Sequence, residues 1–195
     1  AVLRRGEDQG PCPTTKEYMS WLPSARVKDT DKSGRYANKH AALSFGAYTG
    51  SFNGVNSYSN SYPGYYCPNF KPWSQCTSYV GGQLAGIKWQ CVEYTDRYYL
   101  AAFNHTNLWK GHAKYWYSKA TQYGLKSYPN CGTTAPEIGD MLVSTYGSYG
   151  HIAIVRSVGS SSVSVIQQNW FENEKDNNHT IPMSSANGKI CVSGF

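Results

Sequence analysis

Three short apolar runs near the C-terminus constrain the fold more than anything else in the chain. They are Gly139-Asp-Met-Leu-Val-Ser144, His151-Ile-Ala-Ile-Val-Arg-Ser-Val158 and Ser162-Val-Ser-Val-Ile-Gln-Gln-Asn169. Each is strand-length and rich in β-branched residues, and turn formers separate them: Thr145 to Gly150, then Gly159 to Ser161. Connections this short join antiparallel neighbours, because a parallel crossover needs a dozen residues or more. The C-terminal half therefore reads as an antiparallel meander, with one more strand near Lys189 to Ser193 after a polar loop from Glu172 to His179.

Ahead of the meander the period changes. Val92, Tyr94, Thr95, Tyr98, Tyr99, Ala102 and Phe103 recur at three- and four-residue intervals, which predicts a helix over 89–103 with Cys91 at its start. A second helix is predicted from Leu108 to Tyr123, with Ala113, Trp116, Tyr117 and Ala120 as its apolar stripe and Gly124 as its stop. The fold class is α+β, two helices of the N-terminal half packed on an antiparallel meander. Asn53-Gly54 marks a hairpin turn in a Gly/Ser/Tyr-rich stretch, whereas Gly81-Gly82 and Gly86 read as flexible chain. Residues 1–40 are irregular and read as an N-terminal extension of unknown role; 41–195 read as the domain.

At 195 residues there is room for one ordinary domain. A net charge of +6 favours polyanionic partners, including a bacterial wall with its acidic polymers. The basic residues are scattered, so nucleic acid is not expected as a partner, and no apolar run is long enough for a membrane span. The chain opens on Ala1, with no initiator Met and no apolar leader, as a processed chain would. Six cysteines suggest an oxidising, extracellular compartment. Asn104 and Asn178 open Asn-x-Ser/Thr sequons and are candidate glycosylation sites. A monomer is expected.

Asp29-Thr-Asp31-Lys-Ser33-Gly34 resembles the start of a calcium loop, but its twelfth position is His40 where a bidentate Glu belongs. An acidic surface turn is the better reading, and no metal or other cofactor is expected.

A thiol at a helix N-terminus sits among backbone N–H groups and the positive end of the helix dipole, and both stabilise the thiolate. Cys91 is thus a candidate nucleophile. Its rival role is a third disulfide: with Cys91 reserved, Cys12, Cys67, Cys76, Cys131 and Cys191 leave one over. Spacing suggests Cys67–Cys76 as a short loop and Cys131–Cys191 as a pin on the C-terminus. A cysteine nucleophile needs a base. Of five histidines, His151 alone opens a strand after a Gly-rich turn. His105 is expected exposed, His112 inside the second helix, His40 in the charged N-terminal region and His179 in the polar tail. Alternation in the last strand places Gln167 and Asn169 on one face with Val163 and Val165, so either amide could orient the imidazole.

The order Cys, helix, strand, His, strand resembles the CHAP family, the cysteine- and histidine-dependent amidohydrolases/peptidases. The resemblance is carried by Lys88-Trp-Gln-Cys91-Val-Glu-Tyr94, by Gly139-Asp-Met141 with Gly150-His-Ile-Ala-Ile-Val155, and by Val165-Ile-Gln-Gln-Asn-Trp170. The first segment is similar to the nucleophile segment of glutathionylspermidine amidase domains. The resemblance covers roughly residues 44–171. It implies a papain-like core, Cys91 as nucleophile and His151 as general acid/base, with Gln167 or Asn169 orienting it. The family usually carries Glu or Asp where this chain has Gln167. The implied function is a secreted hydrolase of amide bonds, most naturally those of bacterial peptidoglycan, and hence a wall-lytic, antimicrobial protein. The alternatives are a small-peptide amidase of glutathionylspermidine type, or a non-catalytic, disulfide-stapled binding or toxin-like protein in which Cys91 is bridged.

Overall fold

The computed structural model describes residues 1–6, 43–61, 65–170 and 178–195. The calcium-like turn at Asp29 and Asp31, His40 and Cys12 lie outside the described residues. Among the described residues, no group of three or more His, Cys, Asp or Glu could hold a metal ion, and no helix is long and apolar enough to cross a membrane.

The meander is present. Strands β7 (Met141–Ser144), β8 (His151–Val158) and β9 (Ser162–Ile166) pair antiparallel in sequence order. They form the middle of a seven-stranded curled sheet. Beyond β9 lie β10 (Asn178–Ala186) and β11 (Lys189–Val192); beyond β7 lie β1 (Val2–Arg5) and β6 (Leu125–Tyr128). Both faces are buried, and the period-two pattern divides the core accordingly. Leu3, Met141, Val143, Ile152, Ile154 and Ile166 face one cluster. Val2, Leu142, Ala153, Val155, Val163 and Val165 face the other, which Ile181, Met183 and Val192 help to close.

The helix lies on the first face. It runs Cys91–Phe103 and buries Tyr94, Tyr98, Tyr99 and Ala102 against β8 and its neighbours. Asn104 ends it in the left-handed conformation (φ 51°). Trp73–Cys76 is a single turn, labelled α1, so the long helix is α2. The second predicted helix is shorter and broken: 3₁₀ turns at Ala113–Tyr115 and Ala120–Tyr123 flank one α-turn, α3 (Trp116–Lys119). Ala113, Trp116 and Ala120 are buried as the stripe predicted, and Gly124 caps the end at φ 70°. Leu108 joins the core, but the chain stays irregular to His112, because Gly111 is pressed so closely on the Trp109 ring that a Cβ would lie 2.4 Å from it. His112 therefore precedes the helical stretch.

Two hairpins lean on α2. The first, β2 (Tyr48–Phe52) and β3 (Val55–Tyr58), turns at Asn53-Gly54 with both residues at positive φ, the geometry Asn-Gly favours. The second, β4 (Thr77–Val80) and β5 (Gln83–Ile87), turns at Gly81-Gly82. That segment was expected to be flexible chain. Instead it is paired, and Gly86 lies so close to α2 that a Cβ there would sit 3.3 Å from Glu93 Cβ.

The boundary at residue 40 leaves one strand of the sheet on its far side. Val2–Arg5 pairs with both β6 and β7, with Leu3 fully buried. Arg4 fixes it there, donating from Nε and Nη2 to the buried Asp140 carboxylate at 3.0 and 2.9 Å.

Disulfides join Cys67 to Cys76 and Cys131 to Cys191. The first closes a span of 9 residues and the second a span of 60. Chain entropy makes the longer loop the more costly to release. Replacing Cys131 and Cys191 with Ala is expected to cost roughly 1.5 kcal/mol more than replacing Cys67 and Cys76. Urea melts of the two double variants check this; equal midpoints would contradict it.

Candidate active site

Cys91 is the first residue of α2, half-buried, and takes part in neither of the two disulfides. His151 is the first residue of β8 and is 4% exposed. Gly150 brings it there: at φ 70°, and with Ser144 O and Lys114 N each 2.6 Å from where a Cβ would be, only glycine fits.

The His151 ring is held from two sides. Nε2 donates to Gln167 Oε1 at 2.9 Å, and the Trp170 ring covers it at a centroid distance of 4.2 Å. A neutral imidazole has one donor and one acceptor nitrogen, so a bond to a carbonyl oxygen leaves the lone pair on Nδ1. Burial pushes the pKa of His151 down to about 4, against a weaker upward pull from the Gln167 bond. The ring is therefore neutral across the physiological range, with its lone pair on Nδ1.

Of the two candidate orienters, Gln167 bonds to the His151 ring. Asn169 does not: β9 ends at Ile166, Asn169 turns to φ 56°, and its Nδ2 donates to Gln90 Oε1 at 2.9 Å. The alternation that placed both amides on one face fails at Asn169. The stretch from Gln167 to Asn169 contacts both the His151 ring and the start of α2. Gln167 binds His151, while Gln168 and Asn169 bind Gln90, the residue before Cys91.

Sequence reasoning missed the support behind Cys91. Glu93 is fully buried and accepts from Ser78 Oγ at 2.6 Å, Arg97 Nε at 2.6 Å and Gln168 Nε2 at 2.8 Å. Arg97 also donates to Asn56 O at 2.5 Å and to Gln168 Oε1 at 3.0 Å. The network ties α2 to both hairpins and to the end of β9. Its one legible signal was the i, i+4 pairing of Glu93 with Arg97.

The other histidines lie elsewhere. His105, expected exposed, is 7% exposed: the left-handed turn at Asn104 brings it back against Tyr99, and its Nε2 donates to Tyr123 O at 2.8 Å. His179 is exposed, near the start of β10. Asn104 is exposed, while Asn178 is half-buried and accepts from Arg156 Nη1. An open depression of about 940 Å³ borders Trp170 and Phe195, with Asn130, Ser144 and Tyr146 on its wall.

The CHAP domain model matches residues 58–169, more than half of the chain and a span that contains Cys91, His151 and Gln167. The chain belongs to the CHAP family. This assigns it to the hydrolases of the amidase and peptidase class. It is also similar to the bifunctional glutathionylspermidine synthetase/amidase of Escherichia coli K12, 26% identical over 128 residues that make up 60% of this chain and 21% of that protein. The bifunctional glutathionylspermidine synthetase/amidase of Shigella flexneri matches with the same figures. The chain thus spans about a fifth of these relatives. The CHAP match ends at Asn169, so β10 and β11, which close the second core cluster, lie beyond it, and β1 lies before it.

Proposed function

We propose that the chain is a cysteine-dependent CHAP hydrolase of papain-like arrangement, in which Cys91 is the nucleophile, His151 the general acid/base and Gln167 the residue that fixes the base. The observation that carries this reading is the bond from His151 Nε2 to Gln167 Oε1 at 2.9 Å, one residue from the amide that grips the start of the Cys91 helix. His151 Nδ1 takes the thiol proton. The thiolate adds to the amide carbonyl, forming a C–S bond and an oxyanion held by the backbone N–H of Cys91. The C–N bond then breaks as the protonated His151 gives its proton to the leaving amine. Water, deprotonated by His151, attacks the thioester and releases the acid and the thiol.

The substrate class we propose is the peptide amides of bacterial peptidoglycan, met outside the cell. The support is a net charge of +6, suited to a wall bearing acidic polymers, and two disulfides, which persist in oxidising compartments. The catalytic unit is residues 41–195 together with the strand Val2–Arg5. Release of amino groups from purified muropeptides and from glutathionylspermidine should be compared at equal enzyme concentration. Faster turnover of muropeptides is the expected result. Turnover of glutathionylspermidine alone overturns the wall substrate and favours the activity for which the E. coli relative is named.

A further inference from the structure

Gln168 sits between the two amides that sequence analysis singled out, and its side chain points away from that of Gln167, towards α2. It is fully buried, and its amide makes four hydrogen bonds. Oε1 accepts from Tyr58 N–H at 2.9 Å and Arg97 Nη2 at 3.0 Å. Nε2 donates to Glu93 Oε2 at 2.8 Å and to the backbone carbonyl of Gln90 at 3.2 Å. An amide has two donors and two acceptor sites, so this one has no other bond to make.

The bond to Gln90 O matters because of the peptide it holds. Gln90 is the N-cap of α2, with φ −74° and ψ 157°, and its carbonyl receives a single helical bond, from Tyr94 N–H at 3.2 Å. The second bond, from Gln168, fixes the rotation of the Gln90–Cys91 peptide. In a trans peptide the C=O and N–H point in opposite directions. Holding the carbonyl towards Gln168 therefore aims the Cys91 N–H the other way. That N–H, at the first helical position, has no acceptor inside the helix.

We propose that Gln168 is a positioning residue for the oxyanion donor: it sets the direction of the Cys91 N–H and couples it, through the adjacent Gln167, to the base. The charged pair Glu93–Arg97 serves to hold Gln168 in that role, which explains why a buried ion pair lies directly beneath the nucleophile's helix turn. This inference rests on the cysteine-hydrolase reading above.

The test uses two reagents on one thiol. p-Nitrophenyl acetate acylates Cys91 through a tetrahedral oxyanion, with p-nitrophenolate leaving; iodoacetamide alkylates it by direct displacement of iodide, with no oxyanion. Rates are taken above the background of Cys91→Ala. Gln168→Met, close in volume but unable to hydrogen bond, should slow acylation about 10- to 100-fold while changing alkylation less than about threefold. If it does not fold, Gln168→Glu combined with Glu93→Gln keeps an amide, a carboxylate and Arg97 together but removes the donor to Gln90 O. The same selective loss is expected there. Unchanged acylation, or acylation and alkylation falling together, overturns the inference. A wild-type protein whose Cys91 reacts with neither reagent overturns the nucleophile reading, and the inference with it.

Discussion

Cys91→Ala is expected to abolish clearing of a bacterial wall suspension, a loss of at least roughly a thousandfold, while the protein stays folded. Cys91 is only half-buried, at the rim of the core that α2 forms with the sheet, and replacing its thiol with a methyl leaves the helix start and the Gln90 contacts in place. The cost in stability should therefore stay within about 1 kcal/mol. His151→Ala should cost a comparable amount of activity, and the double variant should be no worse than either single one, because on the proposed mechanism the two residues act as one unit. A Cys91→Ala protein that still clears the suspension would sink the mechanism. A double variant slower than the singles by another thousandfold would show that the two residues work independently.

How far the sequence reached depends on whether a contact is local or long-range. The helix beginning at Cys91, the pairing of β7 to β9 and the burial of Trp116 and Ala120 were legible because periodicity records which face of an element is covered. β1 was not legible. Four residues carry too little pattern, and their partners, β6 and β7, lie more than a hundred positions away. β10 was hidden for a different reason: only Ile181 and Met183 of its nine residues are buried, so it resembles a polar loop containing Pro182. At the site, the same alternation carries one residue past the end of β9, to Gln167, and fails at Asn169, where a positive φ turns the chain. Gln168 escaped notice since its side chain points away from that of Gln167. Its partners are an N-cap carbonyl and a buried ion pair, and neither leaves a mark in a single sequence beyond the spacing of Glu93 and Arg97.

The departure at Gln167 carries the second large effect. A neutral amide fixes the tautomer of His151 but does nothing to offset the charge of an imidazolium, and burial has pushed the pKa of this ring down to about 4. Against an unfolded value near 6.5, the folded state binds fewer protons between those limits. The stability that a neutral His151 contributes is thus complete above about pH 6.5 and falls away as the pH drops through 4, by roughly 3 kcal/mol in all. The same low pKa keeps His151 unprotonated, so on the proposed mechanism the acid limb of the hydrolysis rate should lie well below the ordinary histidine range. Gln167→Glu reverses both trends. A carboxylate in bonding distance of Nε2 favours the imidazolium and should raise the pKa of His151 by about 1 to 3 units. The acid limb should then move up by the same amount, and the variant should lose less stability between pH 6.5 and 4 than the wild type does. Titration of the His151 ring proton by NMR, alongside the pH–rate profile, measures the shift directly. An acid limb that stays where it was, with the ring proton visibly shifted, would mean that the group limiting the rate at low pH is not His151.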